Sequence, residues 1–167
     1  MPGPVDLETL RRAPKVLLHD HLDGGLRPST LVELAREIGY GGLPTTDPDA
    51  LAGWFVASGG GSDLVRYLEG FAHTVAVMQT RDALERVAHE CALDLARDGV
   101  VYAEVRFAPE LHLAEGRTMN EVVAAVLAGL ASGANAARAE GTPIVVRAIF
   151  SAMRQAHLSE QIARLAV

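Results

Sequence analysis

Three short apolar runs rich in β-branched residues, each separated from the next by helical periodicity, constrain this chain more than any other feature. KVLLH (15–19), VVYAEVRFAP (100–109) and IVVRAIF (144–150) read as buried strands, the first expected to end near His19. Pro28-Ser29 opens a helix through Leu31, Leu34, Ala35 and Ile38 that Gly39 stops. Residues 41–61, rich in Gly, Pro, Thr and Asp, read as an elaborated connection with a short amphipathic piece around Leu51, Trp54 and Phe55. Helical spacing returns over 63–79, and again over 81–97 behind a Thr80 cap, with Leu84, Val87, Ala88, Cys91 and Leu95 as the buried stripe and Gly99 as the stop. An alanine-dense helix over 120–140 leads to the third strand, and a last helical segment runs from Ser159 to Val167.

Strands alternating with helices predict parallel pairing through right-handed crossovers, in a doubly wound sheet or a (β/α)8 barrel. Three units do not close a barrel, which takes about 250 residues, and the chain has 167. Its 49% hydrophobic share supplies a core, and a net charge of -6 lacks the concentrated positive charge that nucleic acid or an anionic membrane demands. The charged N-terminus is unlike a signal peptide and no apolar stretch looks long enough to span a bilayer, so a cytoplasmic protein is expected. A single cysteine, Cys91, excludes internal disulfides and multi-cysteine metal sites and reads as a small buried thiol. Any bound metal must be held by histidine and carboxylate.

His19-Asp20-His21 places two imidazoles at i and i+2, on one face of a strand, where they can chelate one ion; chance occurrence of so short a motif is the competing reading. Asp23 before Gly24 has the form of an Asx turn, and Tyr67, Leu68 and Phe71 at helical spacing have the form of core. Glu104 and Arg106 alternate along the second strand and are expected to be structural pairing partners. His73, His89, His112 and His157 share no ligand spacing and are expected on solvated helix faces or in loops. HECAL (89–93) lacks the second histidine of a zincin, and Gly59-Gly60-Gly61-Ser62, without a following Lys-Ser/Thr, reads as a flexible joint rather than a phosphate loop.

PKVLLHDHLDGGLRPSTLVELA (14–35) resembles the opening of the adenosine deaminase family; VVYAEVRFAPELH (100–112) and IVVRAIFSAMR (144–154) are similar to its second and third strands, in the same order. The resemblance covers essentially the whole chain. It implies a partial (β/α)8 barrel of the metal-dependent amidohydrolase kind, its first three βα units carrying extra helices in the first connection, with residues 1–167 forming the N-terminal part of one domain. It further implies a hydrolase of purine metabolism using one Zn2+ per complete site to convert adenosine or 2'-deoxyadenosine into inosine or 2'-deoxyinosine and ammonia.

By the same resemblance, His19 and His21 match the first two zinc ligands, and His21 also touches substrate. Asp23 matches the acceptor for a ribose hydroxyl, and Tyr67, Leu68 and Phe71 match the apolar subsite and lid. The remaining ligands, the general acid that protonates N1 and a further catalytic aspartate come from later strands of the family, and none of their motifs occurs before Val167. The general acid is therefore expected beyond Val167, and no catalytic residue within this chain. The chain is expected to be inactive alone, as a truncated or cleaved portion or one piece of an assembly. Its implied partners are a purine nucleoside and the missing C-terminal half or a second copy. Competing expectations are an adenine or modified-nucleoside deaminase, though adenine-acting relatives tend to carry glutamate at position 23, and a non-catalytic nucleoside-binding or assembly module.

Overall fold

A computed structural model describes residues 5–59 and 64–167, with the side chains of 64–67 outside that description. A short helix α1 (Leu7–Arg12) precedes strand β1 (Lys15–His21), and α2 (Pro28–Glu37), α3 (Pro48–Gly59), α4 (Leu64–Val77) and α5 (Arg81–Arg97) follow. Then come β2 (Val100–Phe107), α6 (Met119–Ala139), β3 (Val145–Phe150) and α7 (Ser159–Leu165). The last helix thus stops two residues short of Val167, the end expected for it; Val167 itself is fully exposed. Single 3-10 turns lie at Leu22–Gly24 and Pro109–His112, each just past the carboxyl end of a strand. Gly60, Gly61 and Ser62, the greater part of the expected flexible joint, fall outside the described residues.

The strands are parallel and lie in the order β1-β2-β3. That sequential order is how a (β/α)8 barrel begins, and the first three strands of a doubly wound sheet lie in the same order before its reversal at the fourth. Among the described residues, four α-helices lie in the connection from β1 to β2, against one from β2 to β3. Helix starts follow capping chemistry: Thr80 accepts from the Ala83 N–H at 3.1 Å, and Thr118 and Glu121 form a reciprocal capping box. Gly99, at φ +82°, turns the chain from α5 into β2, in the left-handed region that glycine enters without strain. The unforeseen α1 is capped by Asp6, which accepts from the Thr9 N–H at 2.8 Å.

One face of the sheet is closed. Ala103, Val105 and Phe107 (1% exposed) pack in one apolar core with α5 and α6 residues such as Leu84, Ala88, Val122 and Val126. α5 and α6 approach so closely that a Cβ at Gly129 would stand 2.7 Å from that of Ala88, and one at Gly133 2.9 Å from that of Ala92. The expectation that no segment could span a bilayer needs correcting, because α6, with 21 residues, is long and apolar enough by length and composition. In this fold its Val122, Val126, Gly129, Gly133 and Ala137 stripe is buried instead. Cys91 and Leu95, expected fully buried on α5, are only half-buried; the deep positions are Ala92, Leu93 and Ala96.

The other face is open among the described residues. Val16 and Leu18 are 60% and 58% exposed, and Tyr102, Glu104 and Arg106 alternate with the buried residues of β2.

Candidate active site

β1 runs two residues beyond the expected end, and its register against β2 slips on the way. Leu17 pairs with Ala103 but Asp20 with Val105, so three steps along β1 match two along β2. Leu17 packs on the helical core, and Asp20 also faces the helices, with Oδ2 3.8 Å from Cys91 Sγ on α5. Strict alternation from Leu17 would have sent His19 and His21 to the helix side as well. The inserted residue turns both imidazoles to the open face, which is the re-aiming that a bulge accomplishes. Their ring centroids lie 5.4 Å apart with the planes tilted by 39°.

Asp23 comes next, in the 3-10 turn after the strand. It is 5% exposed, and its Oδ1 sits 3.6 Å from His21 Nδ1, too long for a hydrogen bond and without any other partner. Burial raises its pKa, partly offset by attraction to His21. Phe71 of α4 stands edge-on to His21 with centroids 5.9 Å apart, and it lies against Gly24, where a Cβ would meet the ring at 3.2 Å. His19, His21, Asp23 and Phe71 are thus brought together at the carboxyl ends of the strands.

Leu68, which has the spacing of a core residue, is instead exposed on α4. The Tyr67 side chain lies outside the described residues.

The donor set fits part of a zinc site, since two adjacent exposed imidazoles are suitable ligands. Among the described residues no group of three or more His, Cys, Asp or Glu completes it. Arg106 is the register neighbour of His21 and its Nε is buried without a partner, so the expected pairing with Glu104 does not form. Glu104 instead accepts from the Tyr102 hydroxyl at 2.9 Å. Glu110, just past β2, accepts from the Met153 N–H beyond β3 while its Oε2 stays unpartnered. The one trace of Glu110 in the sequence is its place as a charged residue directly after Pro109 at a strand end.

The other histidines divide. His157 lies in a loop, His73 Nδ1 is 2.9 Å from the Tyr40 hydroxyl, and His89 Nδ1 is 3.0 Å from the Ser132 hydroxyl. His112, expected to be solvated, is 0% exposed. Cys91 has its thiol pKa pushed up, by burial first and then by the Asp20 charge, which leaves it a poor nucleophile.

The adenosine deaminase family model matches residues 14–167. Adenosine deaminase of Mycobacterium avium (strain 104) is 59% identical over 167 residues, covering 100% of this chain and 46% of the relative. The chain spans about half the length of the curated relatives it matches. Among solved structures, Arabidopsis N6-mAMP deaminase superposes with a TM-score of 0.76 at 27% identity, over 96% of this chain and 48% of that one. An amidohydrolase from Burkholderia ambifaria, solved with bound Zn, shares the fold at a TM-score of 0.71 and 23% identity, over 97% of this chain and 43% of that one. With its strand order, its paired imidazoles and these likenesses taken together, the chain belongs to the adenosine deaminase family.

Proposed function

We propose that these residues are the N-terminal part of a barrel domain that hydrolyses the 6-amino group of adenosine or 2'-deoxyadenosine, water entering and ammonia leaving to give the inosine product. The observation that carries this reading is the re-aimed pair His19 and His21 beside the buried, half-unpartnered carboxyl of Asp23. His19 and His21 would hold the zinc, which when bound supplies a water acidic enough to attack at neutral pH. His21 also borders the purine, and Phe71 gives that pocket an apolar wall; Tyr67 and Leu68 belong to its mouth. Asp23 offers a strong acceptor to a ribose hydroxyl, and a buried acceptor left unpaired is costly until that donor arrives. The acid for ring nitrogen N1 and the remaining ligands belong to the rest of the barrel, beyond Val167.

A second reading, deamination of an N6-modified nucleotide, is favoured by the likeness to Arabidopsis N6-mAMP deaminase. The much higher identity to mycobacterial adenosine deaminases favours adenosine. The test is product release by the complete protein from adenosine, adenine and N6-methyl-AMP. Adenosine turnover that is lost in His19→Ala, with KM raised in Asp23→Ala, is expected; turnover of adenine or N6-methyl-AMP alone would replace the reading. The 167-residue chain with added zinc is expected to release no inosine.

A further inference from the structure

His112 is completely buried, and nothing in the deamination reading uses it. It closes the 3-10 turn after β2, and its Nδ1 lies 3.0 Å from the carbonyl oxygen of Met78, at the end of α4. A carbonyl only accepts, so Nδ1 carries the proton and Nε2 is left as an acceptor, buried and without a partner. Burial holds the ring neutral, with its pKa lowered to about 4. An unpaired buried acceptor is a cost that an apolar side chain of the same size would avoid. Stability alone therefore gives no reason for histidine here; the bond to Met78 does.

Gln79, the next residue, completes the fastening. Its Nε2 donates to the Leu111 carbonyl at 3.0 Å and to Val75 at 2.7 Å, and its Oε1 accepts from the Ala114 N–H at 3.0 Å. Arg117 Nε donates to the Gln79 carbonyl at 3.1 Å. The carboxyl end of α4 is thus tied to the loop leaving β2 by bonds drawing on His112, Gln79 and Arg117. About two helical turns before Met78, the same helix carries Phe71 against His21.

We infer that His112 and Gln79 are positioning residues, a latch that fixes α4 to the sheet so that Phe71 stands against His21 and sets the width of the purine pocket. The inference rests on the reading of Phe71 as the wall of that pocket. Neither His112 nor Gln79 touches the ligand pair; both act through α4.

The test is aromatic NOE spectroscopy on the complete protein, selectively labelled at Phe and His and free of metal, which needs no turnover. His112→Leu is expected to lose the Phe71–His21 cross-peaks while amide protection across α5 and α6 stays native. His112→Asn, whose side-chain amide puts a donor where Nδ1 stands, is expected to restore them, which a mere volume effect would not do. Should His112→Leu fail to fold, Gln79→Met removes the side-chain bonds of that residue at similar volume and is expected to give the same loss. Unchanged Phe71–His21 cross-peaks in a folded His112→Leu or Gln79→Met chain would overturn the latch. Failure of the deamination reading shows elsewhere, as a complete protein that does not turn over adenosine, and leaves the NOE result readable.

Discussion

The two faces of the sheet obey different rules. On the helix side the strand positions are filled from within the chain: Ala103, Val105 and Phe107 meet α5 and α6, and small residues let those helices close on each other. On the open side the chain exposes Val16 and Leu18, leaves Arg106 Nε without a partner, and presents both histidines. Closed packing is local and self-sufficient. The open face has the unfinished character of a barrel interior, where each strand's inward side chains are met by those of strands across the barrel.

If that contrast is right, the closed side is where substitution should hurt most. Gly129→Ala puts a methyl group 2.7 Å from Ala88 Cβ and closer still to the Glu85 carbonyl, with no flexible side chain to yield. Forcing α5 and α6 apart is expected to cost about 3 kcal/mol, the upper end of ordinary overpacking, read as a lower urea midpoint. Val16→Thr on the open face is expected to leave that midpoint nearly unchanged. Equal losses at the two sites would erase the distinction.

Acid should distinguish the two sides next. His112 in the folded chain has a pKa of about 4 against an ordinary value of 6.5. The unfolded chain therefore binds more protons between those values, so stability is fully present above pH 6.5, falls as pH drops towards 4, and levels off below. The loss across that window is of order 3 kcal/mol. Urea unfolding as a function of pH checks it: the His112→Leu chain is expected to lack this part of the slope, and a slope unaltered by the substitution would remove His112 as its source.

What could be read from the sequence follows the same division. The α5 boundaries are local facts, written in Thr80, a periodic apolar stripe and Gly99, and they appear where expected. The pairing of His19 with His21 was also legible, because i and i+2 share a face wherever the strand goes. Which face they share was not, since the register slip between Leu17 and Asp20 exists only against β2. The burial of His112 is hidden for the same kind of reason: its partner Met78 is 34 residues away, and no spacing announces that. Arg106 and Glu104 looked like partners through alternation alone, whereas Tyr102 takes the carboxylate.

A smaller effect is expected at the seam where α2 meets α5. Arg27 donates to both oxygens of Asp94, at 2.7 and 2.6 Å, and Glu90 lies 3.6 Å away while also accepting from Thr30 and Arg86. Bidentate, partly buried geometry lifts this pair above ordinary surface ion pairs, although solvent reaches enough of it to discount the gain. Arg27→Met is expected to cost about 1–2 kcal/mol. A double-mutant cycle with Asp94→Asn should recover most of that as coupling; additivity would mean that the pair contributes through packing alone.

The smallest stability effect is expected at the histidines themselves, because the open face is where the chain has done least to satisfy its own groups. Two imidazoles bind zinc far more weakly than a complete ligand set. An ion that binds only the folded state stabilises by RT ln(1 + [L]/Kd), so zinc well above its weak Kd should raise the melting temperature slightly, by an amount that grows with concentration. His19→Ala and His21→Ala should each abolish that rise while leaving the zinc-free melting temperature unaltered, since both rings lie exposed on the uncovered face. A rise that survives both substitutions would place the ion elsewhere, and the re-aimed strand end would then have no claim to the metal. A drop in zinc-free stability would mean instead that the bulge and its imidazoles help to hold the sheet together, and that the open face is less separable from the closed one than their packing implies.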